Sequence, residues 1–144
     1  MDPRDFLRIA AELAERTDAA ALRSSLSRAY YAVYGFGTEL LRGTSVAVPG
    51  GPAGHGELQR YLSNCPDADA MGVGASLLEL HHRRIQADYQ MARRDAENPN
   101  TARWAVQLAA RMIRVLEACA TEPKRTQVIA GIQEYKRRVS GGQD

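Results

Sequence analysis

Residues 20–42 read AALRSSLSRAYYAVYGFGTELLR. Their apolar members Leu22, Leu26, Ala29, Tyr30, Val33, Leu40 and Leu41 recur on a helical period, the mark of one face turned to a core. The pattern predicts a long helix from about Ala20 to Arg42, stopped by Gly43. Ser24, Arg28, Tyr31 and Gly35 follow one another at steps of four, three and four and share a second, more polar face. Gly35 and Gly37 weaken the helix by up to ~1 kcal/mol each relative to Ala. Glycines there suit close approach of another backbone, including that of a second copy.

Helical signals continue on both sides. Asp2-Pro3 suits a helix start, with Asp as cap and Pro in the first turn. Phe6, Ile9, Ala10, Leu13 and Ala14 carry the periodicity of that first helix, and Thr17 or Asp18 ends it or caps the next. The stretch from Thr44 to Gly54, with Pro49, Gly50, Gly51 and Pro52, reads as a loop. A short helix is expected from His55 to about Leu62, and a longer one from about Asp69 to Met91. Asn98-Pro99-Asn100 forms a break, with Asn100 or Thr101 capping a helix to about Ala120, lined by Trp104, Leu108, Met112, Val115 and Leu116. Pro123 breaks again before a basic helix from Thr126 to Val139, and Ser140 to Asp144 reads as a frayed tail. No strand or repeat emerges. The expected class is all-α, with four or five main helices whose short connections favour antiparallel neighbours.

With 144 residues, 25% of them charged and 44% apolar, the chain is long enough for one real core. No apolar run approaches the ~18 residues of a membrane span, and Met1 to Arg8 lack a signal-peptide core. A cytosolic location and no membrane partner are therefore expected. Cys65 and Cys119 fit no metal spacing and, in the cytosol, are expected to stay thiols. The formal charge of +2 excludes a strong global field for nucleic acid. Basic residues cluster locally, however: Arg83, Arg84, Arg93 and Arg94, then Lys124, Arg125, Lys136, Arg137 and Arg138. Such patches suit phosphate contact, or simply make a solvated helix face.

Chemistry concentrates in two segments, residues 27–34 (SRAYYAVY) and residues 84–89 (RIQADY). His81, Arg84 and Asp88 share a helix face at steps of three and four, so Arg84 and Asp88 can pair along the helix. Arg28 could instead reach Asp88 across the interface between the two helices. A bland account is that Arg28 and Asp88 lock helix register while Ala29 and Tyr30 pack. His81 and His82, adjacent on a helix, point about 100° apart and make poor joint ligands, so no metal and no cofactor are expected. The glycines at 50, 51, 54 and 56 lack the Lys-Ser/Thr of a phosphate loop, and no G-x-S-x-G elbow occurs.

Arg28-Ala29-Tyr30-Tyr31-Ala32, then His55-Gly56, then Arg84-x-x-Ala87-Asp88-Tyr89 resembles the small prokaryotic HEPN proteins over roughly Leu7 to Ala120. The resemblance implies an up-and-down helical bundle, taken as residues 1–120, that dimerises; residues 121–144, a C-terminal basic helix and tail, lie outside it. It implies work in toxin–antitoxin or antiviral defence systems, beside RNA, a nucleotidyltransferase-like antitoxin or subunits of a defence complex. Active members cut RNA without a metal, through an arginine followed four to six residues later by a histidine. Here the fifth position after Arg84 is Tyr89, and no arginine has a histidine at that distance downstream. Metal-free cleavage needs a base and an acid, which histidine supplies near neutral pH. Tyrosine, with an ordinary pKa near ~10, is a poor base.

Three functions stay open on these residues. One is a binding or regulatory module that contacts RNA, a nucleotide or a protein through Arg28, Tyr31, His55, Arg83, Arg93 and Arg94. Another is a metal-independent endoribonuclease with a rearranged site of Arg84, Asp88, Tyr89 and His81. The last is an assembly subunit of a larger defence complex.

Overall fold

The computed structural model describes residues 1–141. It has six α-helices and, among the described residues, no strand. They are α1 (Arg4–Ala14), α2 (Ala19–Leu41), α3 (Ala53–Ser63), α4 (Ala68–Tyr89), α5 (Pro99–Cys119) and α6 (Lys124–Gly141), with a short 3-10 turn at Arg94–Glu97 before α5. No helix among the described residues is long and apolar enough to cross a membrane.

Capping chemistry sets the helix starts. The Arg4 N–H donates to Asp2 Oδ1 at 2.9 Å, and the Ala21 N–H donates to Asp18 Oδ2 at 3.3 Å. Asn98, not Asn100 or Thr101, caps α5: its Oδ1 accepts the Asn100 N–H at 2.9 Å. Pro99 therefore opens the helix rather than breaking it, because the first helical position needs no N–H donor. α3 begins at Ala53, behind Pro52 at its N-cap and two residues before the expected start, so His55 lies within its first turn. At the far end α6 runs through Ser140 to Gly141, where a frayed tail was expected. The rest of that tail, residues 142–144, lies outside the described residues.

The chain forms two compact units, Met1–Phe36 with Ser76–Ile113, and Gly37–Ala75 with Arg114–Asp144. In the first, Leu22, Leu26, Ala29, Tyr30 and Val33 of α2 are all buried, as the period of that helix requires. Burying a side chain such as Leu26 stabilises by roughly 1.5–3 kcal/mol. From α4 come Leu77, Leu80 and Ala87. On α1 only Ala10 and Ala14 are buried, and Phe6, Ile9 and Leu13 are half-buried.

The buried stripe of α5 differs from the expected one. It runs through Ala102, Ala105, Ala109, Met112, Leu116 and Cys119, while Trp104, Leu108 and Val115 are half-buried. Alanine contributes little to a hydrophobic pattern, but its small side chain lets helices approach closely. Ala102 accordingly packs with Ala14 and Leu22.

In the second unit α3 packs on α6. The rings of Tyr61 and Tyr135 meet edge to face at 6.5 Å, and Val128 and Ile132 are fully buried. Gly37 accommodates Leu58, whose Cδ2 would lie 2.9 Å from an added Cβ. In the first unit Gly35 similarly accommodates the Pro3 side chain at 3.0 Å. Both glycines of α2 are thus filled by side chains of the same chain, not by another backbone.

Candidate functional site

Tyr31 occupies the centre of the chemistry in the first unit. It lies on the half-exposed stripe of α2 that also carries Arg28, while the next ring, Tyr30, is fully buried. Arg84, from α4, donates through Nη2 to the Tyr31 hydroxyl at 2.7 Å. Its guanidinium also lies 5.1 Å from the Tyr31 ring centre and 5.5 Å from that of Tyr89. Arg84 Nε is buried 2.9 Å from Asp88 Oδ2, an ion pair by distance whose N–H is not aligned as a hydrogen bond. Asp88 is held from α2 as well, by the Ser27 hydroxyl donating to Oδ2 at 3.1 Å.

Arg28 does not reach Asp88; Ser27, one position earlier, takes that place. The reason is the helical rotation of about 100° per residue. It turns Ser27 inward, where it is buried, and Arg28 toward the half-exposed stripe. Arg28 sits 5.0 Å from the Phe6 ring centre and 5.2 Å from that of Tyr31, and has no carboxylate partner among the described residues. Tyr31 is therefore approached by two guanidinium groups with one carboxylate, Asp88, between them and neutrality. Cation–π contacts of this kind hold an arginine in place without cancelling its charge.

His81 stacks on Tyr30 with ring centres 4.9 Å apart and planes 16° from parallel. Burial pushes the Tyr30 hydroxyl far above the ordinary phenol range; neighbouring Tyr34 and Tyr31 add to this and Arg84 opposes it. Tyr30 is thereby a neutral packing residue. Tyr89, by contrast, is 69% exposed at the end of α4.

A second group of arginines surrounds the segment after α4. Arg83 donates to Asp95 Oδ2 at 3.0 Å, and Arg93 also pairs with Asp95 at 3.2 Å. The Asp95 carboxyl is held below its usual range, chiefly by the Arg93 hydrogen bond. Arg94 is 88% exposed, with Glu97 3.9 Å away. Of the remaining sequence-selected residues, His55 belongs to the second unit, in the first turn of α3.

Arg23 was not singled out by the sequence. It is only 8% exposed. Nη1 donates to the carbonyl oxygens of Gln86, Ala87 and Gln90, Nη2 donates to those of Met91 and Arg93, and Nε donates to Glu97 Oε1 at 3.3 Å. These carbonyls end α4 or follow it, where helix acceptors run out of intrahelical donors; Gln86, Gln90 and Arg93 also accept a backbone N–H, while Ala87 and Met91 are served by Arg23. No local signal marks Arg23, because all its partners lie more than sixty positions downstream.

In the second unit a cleft of about 520 Å³ is lined by Ser45, Val46, Gln133, Lys136, Arg137 and Ser140. Lys136 Nζ donates to the Ser45 carbonyl and Arg137 pairs with Glu134, so both cations are engaged. Cys65 and Cys119 are buried unpaired thiols, and no group of three His, Cys, Asp or Glu side chains suited to a metal occurs among the described residues. No family model, no curated protein and no solved structure matches the chain.

Proposed function

We propose that the chain is a HEPN-like binding or regulatory module that holds RNA or a nucleotide by its phosphates, in a toxin–antitoxin or antiviral defence setting. The observation that carries this reading is the arrangement at Tyr31: Arg28 and Arg84 both approach its ring, and Asp88 offsets only one of them. Arg28 is the accessible cation, oriented by two rings and without a carboxylate. A guanidinium so placed offers paired N–H donors to a phosphate. Arg94 adds exposed charge on the segment after α4. The absence of a histidine four to six residues after any arginine favours binding over cleavage.

The test is anisotropy of a labelled single-stranded RNA against salt. Binding should weaken steeply with salt, Arg28→Ala should lower affinity about tenfold, and Arg93→Ala with Arg94→Ala should flatten the salt slope by about two. RNA affinity that is absent at low salt would overturn the reading.

A ribonuclease reading is favoured by one observation. His81, Arg84 and Asp88 share one face of α4, with the acid-base and phosphate-binding types that metal-free cleavage uses. It expects RNA cleavage in EDTA and growth arrest on expression, both lost in Arg84→Ala. Co-purification with a partner, with neither RNA binding nor cleavage, would point to an assembly subunit instead.

A further inference from the structure

A smaller cleft of about 330 Å³ in the first unit is lined by Glu79, Arg83, Asn100, Thr101 and Trp104. We infer that this cleft is a stacking subsite for one unpaired nucleobase, of the kind that offers two adjacent N–H donors. The inference rests on the RNA-binding reading for its biological ligand, but its chemistry comes from different residues.

Three features select such a group. The first is a planar wall. Trp104 is half-buried, and the Arg83 guanidinium lies 5.6 Å from its ring centre. Unstacked bases are held on aromatic rings and on arginine planes, and the volume suits a single small planar group. The second is an acceptor. Glu79 is exposed one turn before Arg83, yet Arg83 turns to Asp95, so the Glu79 carboxylate has no partner among the described residues. An ionised carboxylate only accepts hydrogen bonds. It matches the adjacent ring N–H and amino group of guanine and is mismatched with uracil, whose one N–H is flanked by carbonyls.

The third is the charge of the cleft. Arg83 is already paired with Asp95, and Glu79 is unpaired, so the walls carry no spare positive charge for a phosphate. A neutral base fits here, while the exposed cation Arg94 lies on the segment just before α5. The indole N–H of Trp104 is likewise without a partner among the described residues and can donate to a base carbonyl.

Trp104 is the single tryptophan of the chain, so its emission reports on this cleft alone. The full chain is titrated with guanosine monophosphate, uridine monophosphate and ribose 5-phosphate. Saturable quenching should favour guanosine monophosphate about tenfold over the other two, which share its phosphate but lack its donor edge. Glu79→Gln, on an exposed side chain, should remove most of that preference. Trp104→Ala should weaken guanosine monophosphate binding about tenfold or more by calorimetry, with circular dichroism as the folding control. Equal quenching by all three compounds, no quenching, or an unchanged preference in Glu79→Gln overturns the subsite.

The RNA anisotropy experiment runs beside it and separates the two failures. Salt-sensitive RNA binding with a silent Trp104 sinks the cleft alone. Selective quenching without RNA affinity sinks the RNA reading and keeps the cleft as a mononucleotide site. Absence of both sinks both.

Discussion

Arg23 Nη1 donates to the Ala87 carbonyl oxygen over 2.9 Å, joining residues 64 positions apart. The same guanidinium serves four further carbonyls and Glu97. Hydrogen bonds to a charged donor are worth about 1.5–3 kcal/mol, and removing the donor leaves the Ala87 and Met91 carbonyls without it, while Gln86, Gln90 and Arg93 keep a backbone N–H. Arg23→Ala should therefore cost about 3 kcal/mol or more in urea unfolding. Arg23→Lys should recover only part, since a compact ammonium cannot span acceptors reached by a planar fork. A cost below about 1 kcal/mol would show that the latch is not formed in solution.

The bond from Arg84 to the Tyr31 hydroxyl makes a second, smaller prediction. Tyr31→Phe removes one partner and should lower stability by about 1 kcal/mol. In a double-mutant cycle with Arg84→Met the coupling should be about 1 kcal/mol, because the two side chains touch. Strict additivity would contradict the contact.

Two glycines of α4 supply a matched pair. A Cβ at Gly74 would lie 2.4 Å from the Ser63 backbone nitrogen, which cannot yield, whereas one at Gly72 meets nothing within 4 Å. Gly74→Ala should destabilise by about 2 kcal/mol. Gly72→Ala should stabilise by up to about 1 kcal/mol, the helix preference for alanine. Thermal melts of the two variants should move in opposite directions.

Two tyrosines tie stability to alkaline pH. Burial, then the hydrogen bond and charge of Glu57, push the Tyr61 hydroxyl up to about 12. Burial raises Tyr30 as well. The folded chain thus holds these protons more tightly than the unfolded chain, whose tyrosines titrate near ~10. The associated stability is complete below about pH 10 and is lost as pH rises toward the folded value. After a jump to about pH 11, phenolate absorbance should include a phase limited by unfolding, smaller in Tyr61→Phe. A signal that is wholly immediate would disprove this.

Burial also raises both thiols, Cys65 and Cys119, above the ordinary cysteine range. Since the thiolate is the reactive form, iodoacetamide at about pH 8 should leave the folded chain almost unlabelled and modify both sites in urea. Rapid labelling of native protein would place a thiol at the surface.

The all-helical class was legible in residues 20–42, where the apolar period marks side chains that are buried in α2. The convergence of the Tyr-rich segment with Arg84 and Asp88 was legible as two polar helix faces. The core line of α5 was not, because Ala102, Ala105 and Ala109 contribute little hydrophobic signal while being wholly buried. Trp104, which looked like core, instead walls a cleft.

Sequence alone determined that the chain is helical and where each helix lies to within a few residues, because periodicity acts locally, but it misplaced the starts of α3, α5 and α6 and the end of α6. Only the tertiary structure decided which arginines are spent and which are available. Arg23 and Arg84 are committed to carbonyls, a hydroxyl and a carboxylate, while Arg28 keeps its charge between two rings. A guanidinium's partners are chosen by proximity in space, and the spacing of residues along the chain carries no trace of a contact made sixty positions away.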